Sequence, residues 1–372
     1  MTTGRYEPIA VTILTGFLGA GKTTLLNRLL KDPALESTAV VINEFGEVSI
    51  DHLLVEQASD GVIELSDGCL CCTVRGELVD TLSDLIDRVQ TGRIAPLKRI
   101  VVETTGLADP VPVLQAVMGH PVLVQALRLD GVVCVVDAVN GGSTLDAHEE
   151  AVRQAAVADR VVIAKADMAE GDVLKTLVSR LRSLNPGAQP ILADALSPSP
   201  RALLDCGLYD PATKSADVRR WLGETGLRHD HAHDHHDHHH ADGHGHAHDE
   251  RVRSFSLTYD RPLPYSTVEM FLDLLRATQG EKLLRMKGIV QLADDPDHPL
   301  VIHGVQKLMH PPARLPGWPD GQRGTRIVLI TLDLPEDHVR RMFAAFIGQP
   351  AIDMPDRAAL TDNPLAIAGF KG

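Results

Sequence analysis

The chain predicts an α/β fold: a doubly wound, mostly parallel sheet with helices on both faces, followed by a small ferredoxin-like α+β domain. Three observations predict it. Short runs rich in Val and Ile alternate with amphipathic stretches through the first half of the chain. A Gly-rich turn, GFLGAGKTT from Gly16 to Thr24, joins the first such run to the first amphipathic one. After an internal His-rich stretch, the alternation restarts with a different rhythm.

The elements follow in order. Ile9 to Thr15 reads as a buried strand, and Leu25, Leu26, Leu29 and Leu30 sit at helical spacing just beyond the turn. Further strands are expected at Ala39 to Asn43, Gly61 to Leu65, Arg99 to Glu103, Gly131 to Asp137, Arg160 to Ala164 and Pro190 to Leu192. Helical patterns run over Leu78 to Val89 and Ala147 to Ala158. Strands alternating with helices build a parallel sheet covered on both faces. Beyond the His-rich stretch, VRSFSLTY alternates as a strand, and STVEMFLDLLRAT places Val268, Phe271, Leu272 and Leu275 on one helical face. LLRMKGIVQLAD and PLVIHGVQKLMH read as a hairpin, RIVLITLDL as a strand and DHVRRMFAAF as a helix. This β-α-β-β-α-like order is that of a ferredoxin-like unit. The expected divisions are a first domain over 1–225, a disordered His-rich linker over 226–250 and a second domain over 251–372.

The turn meets the pattern G-x-x-x-x-G-K-[ST] through Gly16, Gly21, Lys22 and Thr23, between a strand and a helix as that motif requires. The first domain is therefore a P-loop NTPase. Backbone N–H groups of Gly19, Ala20, Gly21 and Thr24 are expected around phosphate at a helix N-terminus, where the dipole favours anions. Lys22 is expected to reach the β/γ-phosphates, and Thr23 to bind Mg²⁺. Glu103 ends a neighbouring strand, where a carboxylate suits the Mg²⁺ site. Gly106 follows it, in a loop able to sense a γ-phosphate. Lys165 and Asp167 end another strand in a pattern like N-K-x-D, whose Asp accepts from the guanine edge. Ala164 stands at the Asn position, so GTP is preferred over ATP with one contact missing.

Cys69, Cys71 and Cys72 fall within four positions of GCLCC, in a chain with five cysteines. Three thiolates at this spacing suit Zn²⁺ or Co²⁺ and leave a coordination position open. Cys134, inside GVVCVVDAV, reads as a core residue. His229 to Asp249 carries eleven of the eighteen histidines, interleaved with Asp, Gly and Ala. It has too little apolar content to bury a core, and its imidazoles offer many interchangeable metal sites for loading or buffering.

GFLGAGKTTLLN, INEFGEVSID, GCLCC, VVETTGLADP and KAD, in this order, resemble the CobW-like GTPases, a group related to the nickel-enzyme chaperones HypB and UreG. The resemblance spans essentially the whole chain. It implies a slow GTPase working as a metal chaperone or insertion factor, with its metal site near the nucleotide switches. By matched position it places Asn43, Glu44 and Glu47 in a switch-like loop. Lys22, Glu103 and Glu44 become the catalytic candidates. Cys69, Cys71 and Cys72 become the metal site, with Glu47 and His120 as further candidate ligands. It also implies GTP, Mg²⁺ and Zn²⁺ as cofactors, a client metalloprotein as partner and a nucleotide-dependent homodimer. The expected function is a GTP-hydrolysing chaperone that delivers Zn²⁺ to a client. The alternatives are a cobalt chaperone for cobalamin synthesis and a zinc store with regulatory nucleotide binding. A small-molecule kinase would need a basic lid, and none stands out.

Composition sets the surroundings. The formal net charge of −14 argues against a nucleic-acid partner, which would call for a basic patch. No apolar run approaches the ~20 residues of a membrane span, and the N-terminus lacks a charged-then-apolar signal pattern. A cytoplasmic protein is expected.

Overall fold

The computed structural model describes residues 8–43, 62–64, 70–188, 190–193, 201–204, 206, 251–310, 312–318 and 321–348. The first domain contains strands β1 (Ile9–Thr15), β2 (Thr38–Asn43), β3 (Val62–Glu64), β4 (Arg99–Thr104), β5 (Leu127–Asp137), β6 (Arg160–Ala164) and β7 (Pro190–Leu192). They form one sheet in the order β3-β2-β4-β1-β5-β6-β7 with every pairing parallel. All seven expected strands are therefore present. Because every strand runs the same way, all their carboxyl ends gather on one edge, where ligands bind in such sheets.

The helices are α1 (Lys22–Leu30), α2 (Leu70–Gln90), α3 (Val111–Gly119), α4 (Leu123–Ala126), α5 (Gly141–Ala147), α6 (Glu149–Val157), α7 (Gly171–Leu184) and α8 (Arg201–Leu204). One sheet face, carrying Val11, Ile13, Val41, Val102, Val132 and Ile163, is covered by α2, α3, α6 and α7 through residues such as Leu82, Leu114, Val152 and Leu181. The other face, with Leu14, Val40, Val101, Val133 and Val162, is covered by α1 through Leu25 and Leu26 and by α8 through Leu203 and Leu204. Burial on both faces explains why these strands read as continuous apolar runs.

Two boundaries differ from expectation. α2 begins at Leu70, well before the predicted Leu78. In the sequence Gly76 reads as a break ahead of Leu78, because glycine weakens a helix interior by about 1 kcal/mol, yet the helix runs through it. The stretch predicted from Ala147 is broken at His148, which is extended at φ −134° and separates α5 from α6. Its ring stacks on Phe17, with centroids 4.4 Å apart, a contact invisible to periodicity.

The second domain contains β8 (Val252–Tyr259), α9 (Tyr265–Gln279), β9 (Leu283–Val290), β10 (Leu300–Val305), β11 (Leu308–Met309), β12 (Ala313–Arg314), β13 (Thr325–Leu332) and α10 (Glu336–Phe346). Its sheet runs β11-β10-β9-β13-β8, with β12 beside β10. β13 pairs antiparallel with both β8 and β9, so β8-α9-β9 is a split β-α-β crossover of ferredoxin-like type. The expected hairpin forms between β9 and β10. α9 buries Val268, Phe271, Leu272 and Leu275, the stripe read from sequence. Phe271 meets Phe343 of α10 edge-on at 5.1 Å.

The opposite face of this second sheet packs on the first domain. Val252, Leu284, Val305, Ile330 and Leu332 join the core built around α2, α3, α6 and α7. Asp159, between α6 and β6, is sealed in this interface. Its oxygens accept from Arg285 at 2.7 and 2.8 Å and from Lys287 at 2.5 Å. Burial works against the Asp159 charge, but the two cations outweigh it and hold the carboxyl well below its usual range. Among the described residues, no helix is long and apolar enough to cross a membrane.

Candidate functional site: a phosphate cradle at the carboxyl edge of the sheet

β1 ends at Thr15, and the cradle turns at once into α1. Gly16, Gly19 and Gly21 all have positive φ, at 141°, 70° and 100°. These are values that residues with a Cβ rarely adopt. At Gly16 a side chain would also run into the Val135 carbonyl. Lys22 Nζ donates to the Gly16 carbonyl at 3.0 Å and the Phe17 carbonyl at 3.4 Å. The Lys22 ammonium is thus folded back over the cradle, at the N-terminus of α1.

Thr23 Oγ1 donates to Glu103 Oε1 at 2.8 Å. Glu103 is buried and sits beside Leu14 across the β1–β4 register. The cradle threonine and the expected acid are therefore in direct contact. One residue on, Thr104 Oγ1 donates to Thr15 Oγ1 at 2.9 Å, which fixes the end of β4 against the end of β1. Gly106 then lies flat against the cradle: a Cβ there would fall 2.5 Å from the Leu18 nitrogen. The loop expected to sense phosphate touches the cradle itself.

On the other flank, β5 and β6 supply Asp137 and Lys165. Lys165 is in the left-handed region at φ 58°, an uncommon conformation for a residue with a side chain. Its Nζ donates to the Gly19 carbonyl and to Asp137 Oδ2, both at 2.7 Å. Asp137 also accepts from the backbone N–H groups of Val139 and Asn140, at 2.7 and 3.2 Å. Burial raises its affinity for a proton, but Lys165 and these donors prevail and keep the carboxyl below its ordinary range. Asp167 is exposed in the turn after β6, and Ala164 lies against Gly21. Between the cradle, β5, α5 and α6 lies a cavity of about 170 Å³ lined by Phe17, Gly19, Asp137, Asn140, Gln154 and Lys165.

The structure therefore gathers Gly16, Gly19, Ala20, Gly21, Lys22, Thr23, Glu103, Gly106 and Lys165 around one crevice. Sequence reasoning missed Asp137, Asn140 and Gln154. An aspartate ending a buried strand just before N-G-G was the available signal for the first two. Gln154, on the buried stripe of α6, had none.

The metal candidates are placed only in part. Cys71 and Cys72 lie in the first turn of α2, which follows β3 and so starts at the same carboxyl edge as the cradle. Cys69, Glu44, Glu47, the side chains of Cys71 and Cys72, and the tract from His229 to Asp249 lie outside the described residues. His120 caps the far end of α3, next to Gly119, which meets Leu308 of the second domain. Among the described residues no three potential ligands converge, so His120 is not gathered with others there. Cys134 is fully buried, and burial pushes its thiol up to about 12 despite the nearby Lys22 charge. It is a core residue, as expected.

Residues 10–191 match the CobW/HypB/UreG nucleotide-binding domain, and residues 252–347 match the Cobalamin synthesis protein cobW C-terminal domain. The zinc chaperone YjiA of Escherichia coli is 34% identical over 339 residues, covering 91% of this chain and 98% of that protein. The zinc chaperone CobW of Pseudomonas aeruginosa is 33% identical over 360 residues, covering 88% of each. The crystal structure of Zn(II)-bound YjiA GTPase from E. coli superposes with a TM-score of 0.60 at 30% identity, covering 91% of this chain and 99% of that one. With both domains matched in order and relatives aligned along nearly their whole lengths, the chain belongs to the CobW/HypB/UreG family.

Proposed function

We propose that the protein is a GTP-hydrolysing metal chaperone that binds Zn²⁺ at Cys69, Cys71 and Cys72 and hands it to a client metalloprotein in a nucleotide-dependent way. The observation that carries this reading is the shared edge. The crossover from β3 into α2 brings Cys71 and Cys72 to the same end of the sheet as Lys22, Thr23, Glu103 and Gly106. Relatives named as zinc chaperones and as a zinc-regulated GTPase metalloprotein activator support the metal and the nucleotide.

The chemistry follows from the residues. The Lys22 ammonium exchanges its two carbonyl partners for phosphate oxygens, a stronger charge-assisted bond. The Thr23 hydroxyl and the Glu103 carboxylate are hard oxygen donors in contact, a set that suits Mg²⁺. Bound there, Mg²⁺ would neutralise phosphate charge. Gly106 offers its backbone N–H at the γ-phosphate end, with no side chain between it and the cradle. Lys165 flanks the base, and Asp167 accepts from it. Glu44 orients the attacking water on this reading, and Glu47 lends an oxygen ligand to the metal. Leu18 and Leu107 remain exposed beside the cradle, which supports a protein partner at this edge.

A nucleotide moves metal only through differential affinity, and metal must then alter nucleotide affinity by the same factor. The test is Zn²⁺ affinity measured with and without a non-hydrolysable GTP analogue, on protein lacking residues 229–249 to remove background sites. A clear difference is expected; equal affinities would sink the reading.

A further inference from the structure

Helix α6 is held by the second domain at both ends. At its first residue, Glu149 Oε2 accepts from Arg251 Nη1 at 2.8 Å. Arg251 also donates from its Nε to Asp333 Oδ1 at 2.9 Å, which ties β8 to the end of β13. At the other end, Arg285 of β9 donates to the Val157 carbonyl at 3.0 Å and, through its second nitrogen, to Asp159. A guanidinium there satisfies one of the carbonyls that a helix leaves unbonded at its C-terminus.

Between those ends, α6 grips the loop that follows β4. Gln154 is fully buried, and its Nε2 donates to the Gly106 and Ala108 carbonyls at 3.1 and 3.0 Å. Its Oε1 is sealed from solvent with no hydrogen-bond partner, so this amide is committed to the loop at the expense of its own acceptor. Its neighbour Arg153 donates to Glu149 Oε1 at 2.7 Å and reaches Asp109 Oδ2 at 3.4 Å. Asp109 in turn caps the Val111 nitrogen at 2.9 Å. A continuous path thus runs from Gly106 and Asp109 through Gln154, Arg153 and Glu149 to Arg251 and Asp333.

On the reading that nucleotide binds at the cradle, we propose that α6 is the strut that reports the state of the 105–109 loop to the second domain. Gln154 and Arg153 act as positioning residues on the loop, and Glu149 and Arg251 carry the displacement outward. A loop drawn toward phosphate must break or drag the two Gln154 bonds. It thereby shifts a helix that the second domain holds at both ends. Exposed ion pairs taken singly are weak, and it is their connection through one rigid helix that makes the contact informative.

Hydrogen–deuterium exchange on the full chain tests this, comparing apo, GDP-bound and GTP-analogue-bound protein at 252–259 and 283–290. Nucleotide affinity is measured in parallel. The parent is expected to change protection in both strands between nucleotide states. Arg251→Gln is expected to keep binding nucleotide yet lose that difference, and Gln154→Leu, alone or combined with it, to lose the difference as well. Arg251 is half-exposed, so its variant remains informative even where Gln154→Leu fails to fold. Nucleotide binding without any change in these strands overturns the coupling and leaves the cradle reading intact. An undiminished difference in the combined variant overturns the assignment to α6. Absence of nucleotide binding in the parent overturns both readings.

Discussion

Lys22 and Glu103 show how much single residues could say in advance. Both belong to patterns whose chemistry dictates their neighbours: Lys22 folds back over the cradle, and Glu103 accepts from the cradle threonine. Lys22→Ala is expected to abolish phosphate release from GTP while leaving Zn²⁺ binding at the thiols unchanged, measured by a phosphate-release assay beside a metal-competition titration. Cys72→Ala is expected to do the reverse: tight Zn²⁺ binding is lost and basal hydrolysis kept. If Cys72→Ala binds Zn²⁺ like the parent, the thiol assignment is wrong. Gln154 was not legible, because an amide on a buried helical stripe looks like any polar interruption. Its value comes from two carbonyls that lie 46 and 48 residues away in sequence.

At the level of elements, the end of β5 meets the end of β6 through Asp137 and Lys165. The Lys165 ammonium bridges Asp137 and the Gly19 carbonyl, which holds a left-handed residue in place beside the cradle. Asp137→Ala removes that anchor. Loss of a hydrogen bond to a charged group is worth about 1.5–3 kcal/mol, so affinity for a GTP analogue is expected to fall roughly tenfold or more, read by fluorescence titration. Unchanged affinity would detach this pair from nucleotide binding. The strands themselves were legible as apolar runs because both their faces are buried. The start of α2 was not, because Gly76 interrupts the pattern ahead of Leu78. The break at His148 was not, and the partner that its ring stacks on there, Phe17, lies far away in sequence.

Across the whole molecule, the two domains are joined by a buried charge cluster. Asp159→Ala would leave Arg285 and Lys287 buried without their carboxylate, and such losses cost about 3–5 kcal/mol. Urea unfolding is expected to show it, and a shift near zero would place the joint elsewhere. His303 lies in the same interface, its ring stacked on His310 at 5.6 Å and its Nε2 sealed without a partner. Burial drives His303 well below the ordinary histidine range, and the nearby Arg285, His310 and Lys287 charges push it the same way against Asp159. The folded protein therefore binds fewer protons than the unfolded chain just below about pH 6.5. Stability rises with pH across that window and is lost as pH falls through it, by at most about 1.4 kcal/mol per pH unit for one such group. Thermal melts between about pH 7.5 and 5.5 are expected to show this slope, and His303→Gln to flatten it. An unchanged slope in that variant would assign the effect to other groups.

Local sequence determined what depends on local chemistry: the cradle, the strand ends that carry Glu103 and Lys165, the thiol cluster, the parallel order of the first domain and the stripe on α9. Backbone conformation, hydrophobic period and ligand type are written into neighbouring residues. The tertiary structure alone decided which distant groups complete them. Asp137 closing on Lys165, Gln154 on the Gly106 loop, Arg251 on Glu149 and Asp159 between Arg285 and Lys287 all join residues from separate elements. Such pairs leave no periodic trace, because what selects them is a buried charge or amide needing a partner once the sheets have packed.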